Sequence, residues 1–147
     1  MNKVIQALLS GMFITFILDF FLFLGIFLNY INYYNIDVYY NILFADNQNG
    51  YIFFALSVIL GYIVIYIQGH KSSLIAVGTL SVLVSLTLIE GIGNSVGEAM
   101  FMKKNSTLQT KKHTFIGDIY YEGRKKVTFY DYKLQKIITL NKKDLVK

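Results

Sequence analysis

Val4–Leu28 reads VIQALLSGMFITFILDFFLFLGIFL, 25 residues that carry one charge, Asp19. A bilayer core takes about 20 apolar residues of helix at 1.5 Å each, so this stretch can cross with tilt. A chain in lipid must satisfy its own backbone hydrogen bonds, which predicts a helix. It reads as a retained helix rather than a cleaved signal. Lys3 is the whole basic flank, the apolar run is too long, and no small-x-small site follows Leu28.

Two further stretches have the same character. Tyr51–Ile67 is 17 residues without a charge, and Leu74–Ile89 is 16, extendable through Gly93 if Glu90 is tolerated. Both need their flanks to reach the two interfaces. The link Gln68–Ser73 is short, which predicts an antiparallel hairpin. The link Asn29–Gly50 is longer and carries Tyr30, Tyr33, Tyr34, Tyr39 and Tyr40. One reading is an aromatic belt at the headgroups, with a short interfacial helix around Ile36–Ala45. The other is a docking surface or lid.

The composition agrees with a membrane body. The chain has 147 residues, of which 54% are apolar and 16% charged, where a soluble domain has roughly 25% charged. Mean hydropathy is +0.47. No cysteine is present, which excludes disulfides, thiolate metal sites and Cys nucleophiles. Charge divides the chain near Met102. Residues 1–102 hold two basic and five acidic side chains, a net of −3, and residues 103–147 hold twelve and four, a net of +8. The domains expected are therefore a membrane domain, 1–102, with helices over about 4–28, 51–67 and 74–93, and a basic β-rich tail, 103–147. Three spans put the termini on opposite sides, and the tail's positive charge favours a cytoplasmic C-terminus. The location expected is a bacterial inner membrane.

Within the tail, His113–Tyr121, Val127–Tyr132 and Ile137–Leu140 are rich in β-branched and aromatic residues. Glycine and charge between the first two predict a turn, and the whole reads as a small three-stranded antiparallel meander. Phe115, Ile119 and Tyr121 would share a face, with Gly117 leaving room for a neighbour, and Val127 would share a face with Phe129. Without disulfide or metal, so short a segment cannot bury a sufficient core alone. Support is expected from membrane, partner or further copies of the chain.

Inside a bilayer, helices associate by close backbone approach, so small residues four apart are informative. Ser57 and Gly61 lie so in the second span. Gly78, Ser81 and Ser85 line one face of the third, followed by Gly93 and Gly97. These notches either pack the hairpin onto itself or face copies of the third span around a pore axis. Asp19 is costly at depth unless neutral, paired or wet. It is expected to be a neutral acid bonded to Ser57, Thr79 or Ser81, to pair with a cation of another chain, or to line a hydrated path. Glu90 is either an interfacial carboxylate or a companion to Asp19 in ion movement.

Lys111, Lys112, Arg124, Lys125 and Lys126 are the candidate docking residues. They suit anionic headgroups, at about 1 kcal/mol per basic residue near the surface, or an acidic protein partner. Basic residues interleaved with aromatics also suit nucleic acid, but tethering to a membrane argues against it. His70 and His113 lack a second ligand at metal spacing, and the nucleophile, zincin, phosphate-loop and dinucleotide motifs are missing. No catalytic residue, metal or cofactor is expected.

The layout resembles the core of small-conductance mechanosensitive channels, with three helices, small residues on the third and a compact β segment directly after. Gly117-Asp118-Ile119, Val127–Tyr132 and Ile138-Thr139-Leu140-Asn141 follow the strand order of that family's Sm-like segment. The resemblance implies a homo-oligomeric pore. This chain lacks that family's large cytoplasmic vestibule, and Gly and Ala are sparse in the third span before Gly91. The principal expectation is a non-enzymatic membrane subunit that scaffolds a larger assembly, and the alternative is a homo-oligomeric ion or proton pathway.

Overall fold

A computed structural model of the chain describes residues 2–67, 70–111 and 113–146. Among them are five α-helices followed by a four-stranded antiparallel sheet. The first helix, α1, runs Lys3–Ile26 and continues as a π turn, Phe27–Ile31. Asn2 starts it by accepting a hydrogen bond from the Val4 amide at 3.0 Å. With its π extension, α1 is 29 residues long and apolar enough to cross a membrane.

A short helix was expected around Ile36–Ala45, and one is present, α2, over Tyr40–Asn47. The next helix, α3, Gly50–Ile65, opens on Asn49, whose side chain accepts from the Tyr51 and Ile52 amides. At 16 residues α3 is short for a span. It reaches that length only together with α2, and the pair is bent by 82°. Helix α4, His70–Ser85, with the 3-10 turn Leu86–Leu88, forms the other long apolar helix, Lys71–Leu88. Two helices, or three counting the bent pair, are therefore long and apolar enough to span.

The third span does not continue through Gly93. The helix breaks at Ile89, whose ψ of 128° is extended, and α5, Glu90–Phe101, starts there. Side chains explain the break. Thr87 Oγ1 donates to the Val84 carbonyl, and Asn29 Nδ2 donates to the Thr87 carbonyl at 2.8 Å. Asn94 Nδ2 returns a bond to the Asn29 carbonyl at 3.0 Å. The end of α1 thus fastens the start of α5, where a longer span was expected.

The tail has four strands where three were expected: β1 Lys103–Gln109, β2 Thr114–Glu122, β3 Lys126–Asp131 and β4 Lys136–Asn141, paired in sequence order. The unforeseen β1, KKNSTLQ, lacks apolar alternation. It is a strand because β2 supplies its ladder, and it bulges between Lys103 and Ser106, where Asn105 takes a φ of 53°. Gly117 does leave room for a neighbour: a Cβ there would lie 1.8 Å from the Tyr130 carbonyl oxygen. In the β3–β4 turn, buried Asp131 accepts from the Lys133 and Leu134 amides.

The sheet curls. Thr110 bridges to Leu145, and the Val146 amide donates to the Gln109 carbonyl at 2.7 Å, so the end of the chain meets the end of β1. Ile119, Val127 and Phe129 are buried inside the curl, against Phe115, Ile138 and Leu145. The face expected to be common to Phe115, Ile119 and Tyr121 divides at a register shift between Ile119 and Tyr121. Beyond it, Tyr121 joins Phe23, Ile26, Tyr30, Ile31, Ile36 and Leu43 in a second core. The chain's own α1 and link thereby supply the support that was expected from membrane, partner or further copies.

Candidate functional site

The features singled out in the sequence lie in three places. The first is the contact between α1 and α3. Gly61 faces Ala7, with a Cβ position 2.0 Å from the Ala7 carbonyl oxygen, and Gly11 faces Ser57 as closely. The expectation that Ser57 and Gly61 pack the α3–α4 hairpin onto itself is therefore corrected, because they pack α3 on α1. Ala7 and Gly11 complete the contact. Their small-xxx-small spacing is the signal in the sequence that marks them.

The second place is α4 and α5. Gly78 meets nothing within 4 Å of its Cβ position, and Ser81 and Ser85 are exposed, so these three do not pack within the chain. Gly93 and Gly97 do pack, against Thr87 with Asn29 and against the Tyr30 ring. Their face meets the end of α1, not a copy of itself. Glu90 is exposed at the first turn of α5, where a carboxylate suits the helix dipole. Asp19 is half-buried and accepts from Gln48 Nε2 at 2.9 Å. Its partner is thus a residue of the α2–α3 corner, none of Ser57, Thr79 or Ser81. Among the described residues, no group of three or more His, Asp or Glu gathers to hold a metal.

The third place is the junction of sheet and link. Tyr30, fully buried, donates its hydroxyl to the Tyr120 carbonyl at 2.7 Å. Tyr34 donates to Glu98 at 3.0 Å and its ring lies 4.3 Å from that of Tyr120. Burial and the Glu98 carboxylate push the Tyr34 hydroxyl up to about 12. Tyr40 donates to the Phe20 carbonyl at 2.8 Å. Tyr33 and Tyr39 are exposed. The link is therefore a docking surface for the chain's own sheet through Tyr30 and Tyr34.

Two ion pairs close the junction. Arg124 grips Asp46 with two nitrogens, and Lys126 reaches Asp37 at 2.9 Å. The charges of Arg124 and Lys126, singled out for docking, are thereby matched within the chain. Lys125, exposed between them, has no acidic partner among the described residues, and the same holds for Lys111. Lys112 lies outside the described residues. Asp37 and Asp46 were not singled out in the sequence, because nothing local marks a link acid as the partner of a residue 89 or 78 positions later. Glu122 bridges Lys103 and Lys142, each at 2.9 Å, and the two ammonium groups hold its carboxyl below the usual range.

Between link and sheet lies a cavity of about 410 Å³. Val38, Tyr39 and Ile42 line it from the link side, and Arg124, Lys125 and Lys126 from the β2–β3 turn. Tyr121 and Thr128, both buried, complete it from the sheet. Its size suits a small ligand, and it combines apolar surface with a cationic rim. Compared with protein-family models, curated proteins and solved structures, the chain matches none.

Proposed function

We propose that the chain is a non-enzymatic integral membrane subunit that anchors a larger assembly and presents a basic sheet to it. The observation that carries this reading is the fastening of the sheet to the link. Tyr30, Arg124–Asp46 and Lys126–Asp37 hold the sheet against the helices, while Lys104, Lys111, Lys133, Lys136 and Lys143 pair with no acid among the described residues. Fixed in place and net positive, such a surface suits an acidic partner or anionic headgroups.

Exposure along α1 supports the same placement. Val4, Leu9, Phe13, Phe16 and Phe20 are exposed, whereas Phe23, Ile26, Tyr30 and Ile31 are buried by the chain itself. On this reading the first part of α1, with α3 and α4, faces lipid. The end of α1, α2 and α5 form a layer at the membrane surface beneath the sheet. Asp19, level with the start of α3 through Gln48, then sits near the interface, where a carboxylate costs far less than at mid-bilayer.

The test is the mass of the particle purified in mild detergent, by native mass spectrometry. Co-purification of a second protein that is lost when the five lysines are changed to glutamate supports the reading. Retention of every companion by that variant, with unchanged thermal stability, sinks it. A second reading, a homo-oligomer joined through α4 and conducting ions, is favoured by the outward face of Gly78, Ser81 and Ser85. It requires a symmetric oligomer of this chain alone and a current altered by Asp19→Asn or Glu90→Gln.

A further inference from the structure

We propose that the cavity between the β2–β3 turn and the link is a binding site for one anionic phospholipid. Its phosphate would be held by Lys125 and Arg124, and its glycerol end would lie on Val38, Tyr39 and Ile42. The inference rests on the reading of α1, α3 and α4 as membrane-embedded.

Charge is the first argument. Three consecutive cations line the cavity, and Asp37 is the acid among its lining residues. Asp46 neutralises part of Arg124 and Asp37 takes Lys126, which leaves Lys125 unmatched among the described residues. Arg124 binds Asp46 through Nε and Nη2, and its Nη1 donates to no acceptor among the described residues. An anion entering here meets an ammonium and a guanidinium nitrogen that have no acceptor among the described residues, without displacing either ion pair. Planar guanidinium and mobile ammonium together suit a phosphate.

The remaining lining is not that of a site for a free ion. Val38, Tyr39 and Ile42 add apolar surface to the cavity that the cations line, so the fitting ligand is charged at one end and apolar at the other. Position narrows it further. The link and α2 are held against α1 by Tyr40 on the Phe20 carbonyl and by Phe44 packed edge-on to Phe16. Phe16 and Phe20 belong to the exposed apolar stretch of α1. The cavity therefore adjoins the end of the lipid-facing surface, at the height of headgroups. Tyr39, 75% exposed beside it, is the residue type that favours that level. An acidic peptide would satisfy the cations but has no need of the apolar wall.

Native mass spectrometry of the full chain tests this, after equilibration in detergent with equal amounts of phosphatidylglycerol and phosphatidylcholine. The wild type should retain one phosphatidylglycerol in preference to phosphatidylcholine. Lys125→Gln removes one cation from an exposed position and should lower that retention about fivefold. Val38→Trp, which fills the cavity without touching charge, should lower it at least as much. Changing Lys104, Lys111, Lys133, Lys136 and Lys143 to Glu should leave it intact.

The proposal is overturned if the wild type shows no preference, or if Lys125→Gln retains the lipid like the wild type. It is equally overturned if the five-lysine variant loses the lipid as fully, since diffuse attraction would then suffice. Complete displacement by soluble glycerol 3-phosphate, or by an acidic peptide, would reassign the cavity to that ligand and also overturn it. Should Val38→Trp fail to fold, Lys125→Gln alone decides. Release of the chain from membranes by alkaline carbonate would mean instead that the membrane reading itself has failed.

Discussion

At Gly61 and Gly11 two helix backbones come closer than any side chain allows. A Cβ on either would fall within 2.0 Å of a carbonyl oxygen on the facing helix. The neighbour is backbone, so nothing can swing aside. Gly61→Leu should destabilise the chain by about 3 kcal/mol or more, at the upper end of overpacking effects. Thermal unfolding in detergent measures this. Gly91, with nothing within 4 Å, is the control. Because alanine restricts the unfolded chain and favours helix, Gly91→Ala should raise stability by about 0.5–1 kcal/mol. Spacing alone does not separate such positions. Gly78 shares a face with Ser81 and Ser85 in another apolar helix, yet it faces open space.

At the scale of elements, an exposed charge network joins three of the strands beside their buried apolar core. Glu122 ends β2 and joins Lys103 at the start of β1 to Lys142 just beyond β4. The two lysines lower its folded pKa below the ordinary 4.5. A depressed carboxylate contributes stability that is present above its unfolded pKa and is lost as pH falls through the folded value. Stability of the wild type should therefore decline as the pH drops below about 4.5. Glu122→Gln should be less stable near neutrality by about 1 kcal/mol or less, since all three side chains are well exposed. The difference should vanish at acid pH in paired unfolding titrations of the two proteins.

The two halves of the molecule share one core. Tyr121 is buried with residues of α1 and the link, while Ile119, two positions earlier in the same strand, is buried inside the sheet. The isolated tail, residues 103–147, would lose that first set of contacts together with Tyr30, Asp37 and Asp46. It should lack dispersed amide resonances in solution, and a stably folded fragment would show that the sheet's own core suffices. Tyr30→Phe removes the hydroxyl that reaches the Tyr120 carbonyl from the end of α1. It should cost about 1 kcal/mol in unfolding of the full chain. A larger loss would mean that the helices and sheet depend on this junction more than one hydrogen bond implies.

What the sequence determined by itself rests on local physics. Apolar length predicts the long helices, because lipid leaves the backbone no other partner. β-branched and aromatic runs around a glycine turn predict β2, β3 and β4, since those residues suit a pleated, half-buried surface. The division of charge near Met102 coincides with the passage from α5 to β1. The tertiary structure alone decided the rest. Strand β1 is polar and becomes a strand only beside β2. The apolar helix Lys71–Leu88 ends before Ile89, where Asn29, about 60 residues earlier, takes the Thr87 carbonyl. Asp19 meets Gln48, and Arg124 meets Asp46, across distances in the chain that no pattern encodes. The candidate site is made of such meetings. A cation or a tyrosine shows its chemistry in the sequence, but what it touches depends on how the elements pack.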